Sequence, residues 1–188
     1  MKIYIITLFL LITSSVWSQE TYILTPESNI LTWRGKAAIG GYAPEGTLEI
    51  KDAILSTTNT RLETLEIVVD MTSLYQENKQ LSEHLRDKDF FYIKKHKTAV
   101  FKLLEPIDFT NTNCTLKGTM TIKGKTNIEF IEVRITKTET RVTIDFNHTM
   151  DRTQYDINYN SPSIFKSLKE NVIADNFTLK GALVFTKE

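Results

Sequence analysis

Leu116-Lys117-Gly118-Thr119-Met120-Thr121-Ile122-Lys123-Gly124-Lys125-Thr126 alternates apolar and polar side chains and then reverses. Leu116, Met120 and Ile122 share one face, with Lys117, Thr119 and Thr121 on the other. This is the period-two signature of a half-buried strand. Lys123-Gly124-Lys125 reads as a tight turn, because Gly supplies the positive φ such turns need. The pattern recurs downstream, where Ile131, Val133 and Ile135 alternate with Glu132 and Arg134, and Val142, Ile144 and Phe146 alternate with Thr143 and Asp145. It recurs upstream in Leu31/Trp33, in Leu48/Ile50, in Leu65/Ile67/Val69/Met71 and in the strand holding Phe101 and Leu103. It closes the chain in Phe177, Leu179, Leu183 and Phe185. About eight strands without long helices predict an all-β fold, an antiparallel barrel or sandwich in one domain.

Two stretches break the alternation. Ser73 to Arg86 carries Leu74, Leu81 and Leu85 among polar residues, and the 81/85 spacing predicts a helical face. Ser163 to Leu168 groups Ile164, Phe165 and Leu168 behind Pro162, a helix-start signal. One or two short helices are therefore expected.

The N-terminus reads as an address. Met1-Lys2 precedes a mostly apolar run, Ile3 to Ile12, and then the small and polar Thr13 to Ser18. This is the order of a secretory signal, with Val16 and Ser18 suiting a cleavage before Gln19. The run is too short to span about 30 Å of hydrocarbon. The expected organisation is a signal peptide over 1–18 and one domain over 19–188, periplasmic or secreted, with no transmembrane span in the mature chain.

Charge excludes some functions. Lys plus Arg and Asp plus Glu are each 23, so the formal net charge is zero, and removal of Lys2 with the leader makes it negative. There is no basic excess to neutralise phosphates, so no nucleic-acid partner is expected. The single cysteine, Cys114, excludes an internal disulfide framework. His84, His96 and His148 show no metal-ligand spacing, and no nucleophile elbow or phosphate loop is present. No metal, no cofactor and no enzymatic activity are expected.

Two constellations remain. His84-Leu85-Arg86-Asp87-Lys88-Asp89-Phe90-Phe91-Tyr92 runs charged pairs into three aromatics, which either pack a helix–sheet corner or line an apolar cavity. Asp151-Arg152-Thr153-Gln154-Tyr155-Asp156-Ile157-Asn158-Tyr159 sets a charged pair beside alternating apolar residues. There Arg152 either pins a loop or meets an anionic head group, which its planar fork suits.

In order along the chain, the markers are Trp33 and Gly35; His84-Leu85 with Asp89-Phe90-Phe91; Phe101; Gly118 to Thr126; Asp151-Arg152 with Tyr155-Asp156-Ile157; and Asp175. Together they resemble the YceI-like family of exported bacterial proteins, often called polyisoprenoid-binding. His96-Lys97 departs from the family's usual Tyr-Pro. The resemblance implies a lipocalin-like barrel whose lumen holds a polyisoprenoid, an isoprenoid quinone or a similar apolar lipid. The positions matching the family's barrel interior are Trp33, Phe90, Phe91, Phe101, Ile122 and Ile157. With Arg152 and Tyr155 these form the expected ligand-binding set. A barrel filled by its own side chains is the rival reading, and a homodimer through an edge strand or the barrel mouth is left open.

Overall fold

The computed structural model describes residues 18–109, 113–165 and 172–188. The leader expected over 1–18 falls almost wholly outside them. Ten strands appear among the described residues: β1 (Glu20–Leu24), β2 (Ile30–Arg34), β3 (Glu45–Thr58), β4 (Arg61–Tyr75), β5 (Thr98–Leu103), β6 (Ile107–Asp108), β7 (Asn113–Ile122), β8 (Lys125–Lys137), β9 (Arg141–Asp151) and β10 (Asn176–Lys187). All pair antiparallel.

Eight of them close a ring in the order β2-β3-β4-β5-β7-β8-β9-β10, with β10 returning to β2. The other two share places already taken. β1 pairs with β3 and β10, the same two strands that flank β2. It thus continues the wall where β2 ends, the two being joined by a turn of 3-10 helix at Pro26–Ser28. β6 adds a short pairing to the far end of β4. The structure is a closed eight-stranded antiparallel barrel, the one of the alternation's two architectures, barrel or sandwich, that the resemblance implies, and closure leaves few sheet edges unpaired.

Inward residues build the core as the alternation requires. Leu31, Leu48, Leu65, Phe101, Leu116, Ile144 and Leu183 belong to one continuous buried cluster. The packing is close where glycine permits it. A Cβ on Gly118 of β7 would collide with the Phe101 ring, so the missing side chain is what lets that ring lie across the neighbouring strand.

β1 is held by charge. Glu20 accepts from Lys137 Nζ at 2.8 Å, from Lys187 Nζ at 2.6 Å and from Tyr22 Oη at 2.9 Å. These bonds, Lys137 foremost, lower its pKa from 4.5 to about 2. A depressed carboxyl contributes stability that is present above its unfolded pKa and lost as pH falls through the folded value. The barrel is therefore expected to lose stability between about pH 4.5 and about pH 2, and Glu20→Gln is expected to flatten that slope. Urea midpoints compared near pH 7 and near pH 3 check this; an equal acid loss in the variant would remove Glu20 from the account.

Helical structure is shorter than expected. β4 runs on to Tyr75, so Leu74 is a buried strand residue, and helix α1 covers only Lys79–Arg86. The Asn78 side chain accepts from Leu81 N at 3.2 Å and starts the helix there. Arg86 at its end donates to the Thr72 and Leu74 carbonyls and ties α1 to β4. Of the second expected helix, residues 162–164 form a turn and 166–171 lie outside the described residues.

Candidate functional site

The barrel encloses a cavity of about 210 Å³ with an almost entirely apolar lining. Trp33, Phe101, Ile122 and Ile157 border it from the wall and from the loop after β9, and Phe90 and Phe91 border it from the segment after α1. Leu81 and Leu85, the apolar face of α1, border it too, so the helix and the following turn plug one region of the barrel. Residues 88–91 form a turn rather than a strand, so alternation does not apply there and Phe90 and Phe91 both reach the cavity. Tyr92, with φ of +48°, packs edge-on against His96. His84 stands edge-on to Phe90 and to Tyr159, with ring centroids 5.1 and 4.6 Å away, and braces that corner.

The cavity also reaches the surface. Lys36 and Tyr42 border it, and both are solvent-exposed. The loop from Gly35 to Pro44 is thus its mouth, tied down by Gly35 N on Pro44 O and by an isolated bridge between Ala37 and Ile173.

Arg152 borders the cavity but is only 4% exposed, and its guanidinium is committed to backbone. Nε donates to Ala174 O at 3.0 Å, NH1 to Ile157 O at 2.6 Å and NH2 to Ile173 O at 2.9 Å. Asp175 Oδ1 lies 3.5 Å from NH2, an ion-pair distance. Burial raises the Asp175 carboxyl, but Ser161, Ser163 and Arg152 more than offset this, and its pKa falls below the usual range. These contacts place three of the five guanidinium N–H groups on backbone carbonyls and fit the loop-pinning alternative for Arg152.

Tyr155 does not border the cavity. Arg152–Tyr155 is a turn of 3-10 helix, and Asp156 follows with φ of +60°, so the run is not the alternating strand its sequence resembles. Tyr155 is wholly buried and donates to Glu129 Oε1 at 2.5 Å. Burial first, then that bond, pushes its phenol well above its ordinary pKa. Glu129 Oε2 is also 3.0 Å from His148 Nε2. This cluster sits where β8 and β9 part. Their registered pairing runs from Lys137↔Val142 only to Val133↔Phe146, and the 3-10 turn fills the gap beyond. His148 borders the cavity, the one member of the cluster that does. The sequence reading did not single out Glu129 and His148. The available signal was the inward row Asn127, Glu129, Ile131, Val133, which carries a carboxylate on a core-facing side.

Cys114 is half-buried on β7, and burial raises its thiol pKa, which works against reactivity. Among the described residues no cluster of three or more His, Cys, Asp or Glu could hold a metal ion. Among them also, no helix is long and apolar enough to cross a membrane.

Comparison with known proteins gives one consistent answer. The YceI-like domain matches residues 22–185. A UPF0312 protein of Vibrio cholerae is 33% identical over 78 residues, which is 39% of this chain, and the chain spans only 41% of that relative's length. Among solved structures, Burkholderia cenocepacia BcnA superposes with a TM-score of 0.66 at 17% identity, covering 82% of this chain and 94% of that one. A polyisoprenoid binding domain from Saccharophagus degradans, implicated in plant cell wall breakdown, has a TM-score of 0.66 at 10% identity and covers 91% of this chain and all of that one. The Campylobacter jejuni YceI protein has a TM-score of 0.61 at 19% identity, covering 75% and 84%. At these identities the structural likeness speaks for the fold.

Proposed function

The chain belongs to the YceI-like family, and from that premise and its lumen we propose that it is an exported carrier holding an isoprenoid or similar long apolar chain inside the barrel. The observation that carries this reading is the apolar cavity that reaches the surface at Lys36 and Tyr42. Each methylene moved from water into such a lumen gains about 0.8 kcal/mol. The polyisoprenoid binding of the Saccharophagus domain supports the ligand class. The order of residues 1–18 supports export to a periplasmic or extracellular space. The family is one of binding proteins, and no chemical step is assigned to this chain.

One observation favours the self-filled barrel. A cavity of about 210 Å³ is smaller than the roughly 300–1,000 Å³ of pockets for drug-sized ligands. Energetics weigh the other way. At roughly 24 cal/mol per Å³, an unfilled cavity of that size costs about 5 kcal/mol, comparable to the roughly 5–15 kcal/mol stability of a whole domain. Water does not fill an apolar cavity well. A thin chain that enters end-on relieves the cost and needs less width than a compact ligand.

The test is native mass spectrometry of the full chain produced in an exporting bacterial host. A bound species of lipid mass, lost on denaturation, is expected, on a polypeptide that begins at Gln19. A ligand-free spectrum together with no uptake of a polyprenyl probe would overturn the carrier reading in favour of the self-filled barrel.

A further inference from the structure

We propose that the rim of the cavity mouth is a docking surface for a phospholipid bilayer, an assignment that rests on the carrier reading and names where its lipid is exchanged. The rim is built from two loops. Ala38 N donates to Val172 O at 2.8 Å and Ala174 N to Lys36 O at 2.9 Å, while Ile173 N donates to Asn160 O at 3.0 Å. Residues 35–44 and 160–165 are thus both tied to one short segment, 172–174, and through it to each other. Lys36, Tyr42, Ile173 and Ala174 of this unit border the cavity.

The unit turns large apolar side chains to solvent. Ile39 is 70% exposed, Tyr42 58%, Ile164 50% and Phe165 48%. Gly40 and Gly41 have φ of +87° and +75°, and a Cβ on either would meet nothing within 4 Å, so the turn carrying Ile39 and Tyr42 stands clear of the body. Ser161 is wholly buried and accepts from Phe165 N through its carbonyl and from Ile164 N through its hydroxyl, which fixes the turn carrying the other two. Exposed apolar side chains gathered in one place mark an interaction surface.

Continuity and charge choose a bilayer as the occupant. The rim opens on the lumen, so what covers it also covers the path of the lipid, and a long isoprenoid resides in a membrane and not in water. Lys36 is the only charged residue within 35–44, 160–165 and 172–174, so the rim offers no carboxylate to repel anionic headgroups. Lys36 itself is exposed and forms no ion pair among the described residues. Tyr42, with an apolar body and a polar tip, suits the headgroup level. Other exposed apolar pairs stand on the outer wall, where Ile23 lies opposite Ile54 and Ile128 alternates with Phe130 on β8. None of those four borders the cavity.

The test is flotation of the full chain with vesicles of phosphatidylethanolamine and phosphatidylglycerol, wild type against Ile39→Asp/Phe165→Asp. Neither residue borders the cavity, so the variant keeps its lumen. Wild type is expected to float with the vesicles, and the variant to bind them at least about tenfold more weakly. Uptake of a polyprenyl probe from the vesicles is expected to fall in step, while uptake of farnesol from solution and the urea midpoint stay as in wild type. Ile39→Asp alone, on the turn that stands clear of the body, carries the comparison if the double variant folds poorly. Undiminished vesicle binding in the variant, or wild-type uptake from vesicles with no vesicle binding, overturns the docking surface and leaves the carrier reading standing. A wild type that does not float and sediments as a dimer, where the variant is a monomer, gives the rim to a second copy of the chain and also overturns it. Uptake of neither probe by wild type overturns both readings.

Discussion

Arg152→Met is expected to destabilise the barrel by about 3–5 kcal/mol, as removal of one partner from a buried charged network does. The cost has three sources in the structure. The Ala174, Ile173 and Ile157 carbonyls lose their donors, and a buried acceptor left unpaired costs about 1–3 kcal/mol. Asp175, whose side chain is 18% exposed, loses its ion pair. The loop after β9, which delivers Ile157 to the cavity, also loses its tie to the segment before β10. Arg152→Lys should recover only part of the loss, because one ammonium cannot reach carbonyls fanned around a planar fork. Urea denaturation at neutral pH reads the effect. A variant within about 1 kcal/mol of wild type that no longer takes up lipid would return Arg152 to the ligand and remove it from the scaffold.

This result bears on what could be read without a structure. Alternation was legible where strand pairs run without interruption. β7 and β8 keep one register from Asn113↔Arg134 to Ile122↔Lys125, so every second residue faces in, as Leu116, Met120, Ile131 and Val133 do. It was illegible where register slips. β3 and β4 carry three irregularities, and β4 buries Leu62 and Leu65, then Met71 and Leu74, each pair three apart. Past Met71 the period of two is lost, which is why Leu74 reads from the sequence alone as part of the polar stretch leading to the Leu81/Leu85 helical face.

The site divides in the same way. Trp33, Phe101 and Ile122 sit on regular strands, and their inward placement follows from period two. Tyr155 reads as the neighbour of Ile157 on one strand face. It is turned toward Glu129 by a 3-10 helix and a left-handed Asp156, and no local pattern announces either. The hydrogen-bond partners of Arg152 are carbonyls, which carry no residue identity, so a sequence cannot show that three of its N–H groups are engaged by backbone.

Ala99→Phe is expected to lower uptake of a long apolar chain by at least about tenfold while leaving the fold intact. Ala99 lies on β5 opposite Val69 of β4, is 6% exposed and borders the cavity. A cavity of about 150 Å³ is large enough to hold benzene, so about 210 Å³ admits the added ring without forcing neighbours apart. Filling it relieves part of the cost of empty space, and stability should stay within about 1–2 kcal/mol of wild type or rise. The same substitution separates the two readings of the barrel. In a carrier the ring and the lipid compete for one space, so uptake falls as stability holds. In a self-filled barrel neither protein takes up lipid and only stability responds. Saturable uptake of a polyprenyl probe, measured beside urea midpoints for both proteins, distinguishes them. Unchanged uptake with the ring in place would put the chain at some surface other than the lumen.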